Sequence, residues 1–331
     1  MIRRGLSRFA IVLTSAGLAL LCAEAWVRVF HPEARSYVVP SGLLQMDADL
    51  GWRLTPGAVG IHRSSQFTVT YKINSVGFRD EPRDVTLPAG VQRILLYGDS
   101  QVFGWGIPLK ERFSNRLEDD RRQVWNLAVP GYGLDQEMLS YRRDGRGVRA
   151  DKVVFYVAPS TLSRLNESYI YKKFKPRFRL DTNGGLILAP VPKADLGTTD
   201  LLYRVLSPFY LPYFLEHRFA GQEEEKSSAP TNGKLGDLAM RLLLDAQCAA
   251  KQAHHGMVVL SNLPEPIRAE LRGFCRQHEM GLLEIALEGR SEPLRFGGGD
   301  PHWNELANTI IAQQLWSQLE AQKPAPPAAD P

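Results

Sequence analysis

Along the chain the apolar positions come first as one block, then as alternation, then as short runs spaced by amphipathic segments. The block is Phe9 to Ala23, with Arg3, Arg4 and Arg8 before it and no Lys or Arg inside. A basic flank ahead of an apolar run reads as a positive-inside export signal. The run is shorter than the ~20 residues of a comfortable span, but Trp26, Val27, Val29 and Phe30 extend it, interrupted only by Glu24 and Arg28. Residues 1–30 are therefore predicted to be an uncleaved single-pass membrane anchor with the rest of the chain extracytoplasmic, on the periplasmic side. Ala23-Glu24-Ala25 also fits the small-x-small cleavage pattern, which makes a cleaved signal peptide the alternative. Either reading exports the remainder of the chain.

Residues 31–90 are rich in Gly, Pro and polar turns, and Gln66 to Ile73 alternates as a half-buried strand does, which predicts a strand-rich N-terminal extension. From Arg93 the pattern changes. Ile94 to Tyr97, Val124 to Leu127, Val153 to Val157 and Met257 to Leu260 are fully apolar, with Leu282 to Ile285 as a weaker fifth. Between them lie helix-length segments, predicted at 110–121, 134–146, 236–254, 265–278 and 304–321. Apolar strands alternating with helices predict an α/β fold of three layers, α/β/α, whose parallel sheet is covered on both faces. The alternation breaks after the third strand, at about 160–235. That stretch carries a hairpin signal at Asn183-Gly184-Gly185 and a hydrophilic run from Gly221 to Pro230, so it is predicted to be an insertion ending in a mobile loop. The main domain is thus expected over 91–321, and the Pro/Ala-rich residues 322–331 as a disordered tail.

Apolar and charged fractions of 44% and 23% over 331 residues are those of an ordinary globular protein. A net charge of +4 is small for this length and partly sits in the first residues, which argues against a nucleic-acid partner. Cys22 falls in the apolar run. Cys248 and Cys275 fall in helix-like segments, where a disulfide and two free thiols are both open, and neither has the His or Cys neighbours that zinc needs.

Three segments carry candidate chemistry. The first apolar strand runs straight into Gly98-Asp99-Ser100, which places a serine where open α/β sheets bind ligands, its own N–H available to an oxyanion. Taken alone the tripeptide is more often a helix N-cap and turn. Asn126 to Gly133 follows the second strand, and Gly131 there lets a backbone N–H approach the same place, although Pro130-Gly131-Tyr132-Gly133 is also simply a turn. Asp300-Pro301-His302, after Gly297-Gly298-Gly299 and before the last helix, can form an Asp-to-Nδ1 bond that leaves Nε2 to deprotonate a serine; its plainer reading is a capping Asp and a surface His. His31, His62, His217, His254, His255 and His278 have no such neighbour or sit in helices and turns, and are read as structural.

Together these segments resemble, in order and spacing over residues 93–320, the SGNH/GDSL hydrolase superfamily, whose sheet is flavodoxin-like. Asn74 to Asp80, Phe103-Gly104-Trp105-Gly106 and Val129 to Gly133 resemble a membrane-anchored bacterial subgroup linked to polysaccharide O-acyl esterases and acetyltransferases. The resemblance implies Ser100 as nucleophile, His302 as base, Asp300 as its orienter, and the Ser100 and Gly131 amides as oxyanion donors. It implies no metal or organic cofactor, and an acylated glycan or other ester as substrate. Asp300 stands two residues before His302, where the superfamily's usual block has three. The larger departure follows the third strand, where an asparagine is expected and the chain reads Ala158-Pro159-Ser160-Thr161. Ser160 or Thr161, through a hydroxyl, and Asn166, by reaching back, are the candidates to replace that third donor. The missing asparagine also opens the alternative of a catalytically impaired glycan-binding or assembly protein on the same scaffold.

Overall fold

The computed structural model describes residues 2–31, 34, 38–171, 173–192, 201, 205–206, 208–219, 234–297 and 300–321. The hydrophilic run from Gly221 to Pro230 and the tail from 322 lie outside them. The chain begins with helix α1 (Ile2–Phe30), within which Arg8–Phe30 is long and apolar enough to cross a membrane, at mean hydropathy 1.8. Two antiparallel hairpins come next, β1 (Leu44–Asp47) with β2 (Gly51–Leu54) and β3 (Val59–Arg63) with β4 (Thr68–Lys72). The alternation read over 66–73 is thus a strand in which Val69 and Tyr71 point inward.

Five parallel strands then form the main sheet: β5 (Gln92–Tyr97), β6 (Arg122–Asn126), β7 (Lys152–Val157), β12 (Gly256–Ser261) and β13 (Gly281–Glu284), in spatial order β13-β12-β7-β5-β6. In chain order that is 2-1-3-4-5, the flavodoxin-like arrangement. Because both faces are covered, successive residues of each strand enter opposite cores. Ile94, Leu96, Val154 and Tyr156 pack with the C-terminal helix, whereas Leu95, Tyr97, Val153 and Phe155 pack with helices on the other face.

The helices are α2 (Ser100–Phe103), α3 (Phe113–Arg116), α4 (Leu134–Ser140), α5 (Pro159–Ser163), α6 (Leu211–Phe219), α7 (Asp237–Gln252), α8 (Ile267–Gln277) and α9 (Glu305–Ala321). Four of the five expected helices lie where the pattern put them. The helix expected over 110–121 is instead a 3₁₀ turn at Leu109–Glu111 and the single turn α3, separated by Arg112 in extended conformation. The break has a cause. The fully buried Arg112 guanidinium donates to the carbonyls of Arg79 and Phe103 and to Asn115 Oδ1, bonds that a solvent-facing helical position would not reach.

Between β7 and α7 the chain makes two further hairpins, β8 (Tyr169–Ile170) with β9 (Lys173–Phe174) and β10 (Arg177–Leu180) with β11 (Leu186–Ala189). Asn183-Gly184-Gly185 is the turn of the second, where Gly184 takes φ +75° and Asp181 Oδ1 accepts from the Asn183 and Gly185 amides. All three cysteines are free thiols, Cys275 buried, Cys22 and Cys248 exposed. The N-terminal hairpins are part of the core: Trp52 Nε1 donates to Pro130 O at 3.0 Å, and Tyr132 Oη donates to Trp52 O at 2.7 Å.

Candidate active site

Strand β5 delivers the chain to Gly98, where a Cβ would stand 2.4 Å from the Val102 side chain, so the turn admits only glycine. Asp99 is extended and caps α2, its Oδ1 accepting from Gln101 N at 2.9 Å, and Ser100 opens the helix. At this point the sheet order reverses, with β6 on one side of β5 and β7 on the other, which opens a crevice beyond the strand ends. Neither the Ser100 amide nor the Gly131 amide is used in a hydrogen bond among the described residues.

The segment ahead of α9 reaches the same crevice. His302 Nε2 lies 2.8 Å from Ser100 Oγ, and His302 Nδ1 lies 2.7 Å from Asp300 Oδ1, which also accepts from the His302 amide at 2.9 Å. Asp300 is buried, and its Oδ2 has no partner among the described residues. Gln101 ties the two segments together: its Nε2 donates to Pro301 O at 3.1 Å, and its Oε1 accepts from Trp303 N at 3.1 Å. The Trp105 ring stacks on the His302 imidazole, centroids 4.8 Å apart and planes 17° from parallel. Together these contacts leave the imidazole one orientation, edge-on to the serine.

The N-terminal hairpins build the wall behind Trp105. His62 meets Trp105 edge-on at 4.6 Å and contacts Tyr71 Oη through Nδ1 at 3.0 Å, and Tyr71 Oη accepts from Gly106 N at 2.8 Å. Burial pushes the Tyr71 phenol up to about 12. Arg79, within the Asn74 to Asp80 motif, donates to the carbonyls of Phe103, Gly104 and Ile107 and thereby clamps the loop that follows α2. Asn126 fixes the opposite flank, donating to Val102 O at 2.7 Å and Ser114 Oγ at 2.9 Å. Gly131 takes φ +84°, and a Cβ there would stand 3.0 Å from the Tyr171 ring and 3.3 Å from Trp52.

After β7 the loop bonds to itself and to Asp99. Thr161 Oγ1 accepts from the Ala158 amide at 2.9 Å and faces the carbonyls of Tyr156 and Ala158, so its hydroxyl closes its own turn. Ser160 Oγ donates to Asp99 Oδ2 at 2.8 Å, and Arg164 Nη1 donates to the same oxygen at 2.9 Å. Arg164 also donates to Tyr132 O at 2.9 Å and to Tyr171 Oη at 3.1 Å. Burial pulls the Arg164 guanidinium down, but Tyr171 and Asp99 outweigh it and hold the group above its ordinary value. Asn166 is exposed at the end of the following 3₁₀ turn. The hydroxyl and guanidinium of this loop are therefore directed at Asp99, the residue beside Ser100. Behind them the Glu137 carboxyl is pushed well above its usual range by burial and then by the Asp99 carboxylate. Gln101 and Arg164 were not among the candidates read from the sequence, Gln101 having only its place beside Ser100 as a signal, and Trp105 stood there only as part of the Phe103 to Gly106 motif.

Among the described residues no group of three or more His, Cys, Asp or Glu side chains could hold a metal ion. No family model matches the sequence. No curated protein matches it either. Solved structures do, at low identity. A lipolytic protein of the G-D-S-L family from Desulfitobacterium hafniense is 6% identical at TM-score 0.41, covering 69% of this chain and 99% of its own. A member of the lipolytic G-D-S-L family from Veillonella parvula is 11% identical at TM-score 0.39, covering 70% and 98%. A catalytic mutant of the acetylxylan esterase Axe2 from Geobacillus stearothermophilus is 10% identical at TM-score 0.39, covering 70% and 96%.

Proposed function

We propose that the protein is a serine acyl-ester hydrolase or acyltransferase acting outside the cytoplasm on O-acyl groups, acetyl above all, of a cell-surface polysaccharide. The observation that carries this reading is the unbroken chain from Asp300 through His302 to Ser100, at 2.7 and 2.8 Å. A base must touch the proton it takes. In the proposed reaction His302 Nε2 takes the Ser100 proton while Oγ attacks the ester carbonyl. Asp300 holds the imidazole in the tautomer with Nδ1 protonated and steadies the imidazolium. The amides of Ser100 and Gly131 stabilise the oxyanion, and His302 returns the proton to the leaving alcohol. Water or a sugar hydroxyl, deprotonated by the same imidazole, then resolves the acyl-serine.

A small acyl group is favoured because Tyr171 and Trp52 stand against Gly131 and leave little room beside the proposed oxyanion site. A glycan is favoured by the exposed ring of Tyr171 at the crevice, since an aromatic face with a polar tip suits a sugar. Thr161 is left out of the proposed oxyanion site, as its hydroxyl is engaged within its own turn. The engagement of Ser160 with Asp99 favours a second reading, a glycan-binding protein whose oxyanion site is too weak for turnover. Incubating the full-length protein with an O-acetylated surface polysaccharide separates the two. Acetate release, or transfer to a sugar acceptor, that disappears in Ser100→Ala supports the enzyme; retention of the glycan without turnover in both proteins supports the binder.

A further inference from the structure

The outer end of α1 is built into the protein by a carboxylate. Glu24 lies inside the apolar span yet is buried, and it accepts from the Tyr210 amide at 2.9 and 3.0 Å and from the Leu211 amide at 2.8 Å. Those are the first free N–H groups of helix α6, so Glu24 caps a helix from a distant part of the chain. Arg28, one turn on, donates to Glu24 Oε1 at 2.6 Å and to Pro208 O at 3.2 Å, and its guanidinium lies over the Tyr210 ring at 5.2 Å. Trp26 meets Phe214 edge-on at 5.8 Å, and His31 lies 4.8 Å from the same ring. An ionisable residue in such a span has to find partners, and here they are Arg28 on the same helix and two backbone amides of the insertion.

What the insertion then presents is apolar. Val205, Leu206, Phe209 and Leu215 are exposed, beside a helix whose own side chains from Phe9 to Leu21 are exposed as well. We propose that residues 205–206 and 208–215 form a membrane-embedded collar: with the outer turns of α1 they enter the bilayer interface on the extracytoplasmic side, so that the partner of this surface is lipid. The occupant is set by continuity, because the patch adjoins the lipid-facing surface of α1 and carries Tyr210 and Trp26 at the depth where aromatic belts sit. An interfacial segment of this kind buries its apolar side chains ~5–10 Å into the headgroup boundary. Cleavage after Ala25 would remove Glu24 and uncap α6, so the collar belongs to the uncleaved chain. The inference rests on α1 lying in a membrane with the remainder of the chain outside the cytoplasm.

The test uses full-length protein in vesicles of phosphatidylethanolamine and phosphatidylglycerol. Cys22 and Cys248 are replaced by alanine, buried Cys275 is left, and an environment-sensitive fluorophore is placed in turn at Leu18→Cys, Phe209→Cys, Leu215→Cys and Val85→Cys. Lipids brominated near the carbonyls should quench the probes at 209 and 215 at least ~3-fold more than that at 85. Glu24→Ala should abolish that difference while the probe at 18 stays quenched. Quenching at 18 without quenching at 209 and 215 overturns the collar and leaves the anchor standing. No quenching at any of the four overturns both.

Discussion

Replacing Arg164 with methionine removes one partner of the Asp99 carboxylate while keeping an unbranched apolar stem as far as the position of Nε. Asp99 and Arg164 are both buried, and Asp99 Oδ2 has two donors, Arg164 and Ser160. Breaking a buried ion pair by deleting one member costs ~3–5 kcal/mol, because the remaining charge stays desolvated. The carbonyl of Tyr132 also loses a donor, which adds ~1–3 kcal/mol where water does not enter. Ser160 still bonds the carboxylate, so the lower part of the combined range of ~4–8 kcal/mol, ~4–5 kcal/mol, is expected. Denaturant unfolding of the full chain in detergent, followed by tryptophan fluorescence, reads the loss. Asp99→Asn in the same background removes the stranded charge and should return at least ~2 kcal/mol. A loss under ~1 kcal/mol for the single variant, or no recovery in the double, would show that Arg164 does not hold Asp99 and that the loop after β7 has another purpose.

Three further outcomes are expected from the same geometry. Gly131→Ala should lower aryl acetate turnover by ~10²-fold, since its φ of +84° and the Tyr171 ring both oppose a Cβ, and Tyr171→Ala in that background should return part of the rate; steady-state kinetics decide it. Trp105→Ala should lower kcat by up to ~10²-fold with KM nearly unchanged, because the ring orients His302 rather than substrate. Glu137→Gln should raise the melting temperature increasingly as pH rises from about 5 to 8: the folded-state pKa is raised, so folded wild type holds a proton that the unfolded chain has already lost, and its stability falls with pH through that window while the glutamine variant has nothing to titrate. An advantage that shrinks toward alkaline pH would contradict that sign.

The fold was legible because its strands are buried on both faces and so read as continuous apolar runs, and because Gly98 and Gly131 sit at turns that require them. Ser100, Asp300 and His302 were legible as short local motifs, and the distances join them across 202 and 2 residues of sequence. Less legible was whatever depends on contacts between distant segments. Arg112 breaks a periodic helix because its buried guanidinium turns inward to carbonyls of Arg79 in the N-terminal extension and Phe103 in α2. Ser160 looked like a substitute oxyanion donor because the loop after the third strand opens on the crevice. Only the position of Asp99, fixed by its capping of α2, turns that hydroxyl aside. Glu24 read as an interruption of the apolar run, since nothing local announces a partner 186 residues away.

The central claim is that Ser100 is a nucleophile activated by His302, and its reactivity toward a fluorophosphonate probe measures that without knowledge of the substrate. Full-length wild type in membranes should label on one serine; Ser100→Ala should not label; His302→Ala and Asp300→Asn, folded by circular dichroism, should label more slowly, the former by at least ~10³-fold. Folded wild type that takes no label, or a His302→Ala variant that labels at the wild-type rate, would contradict the account.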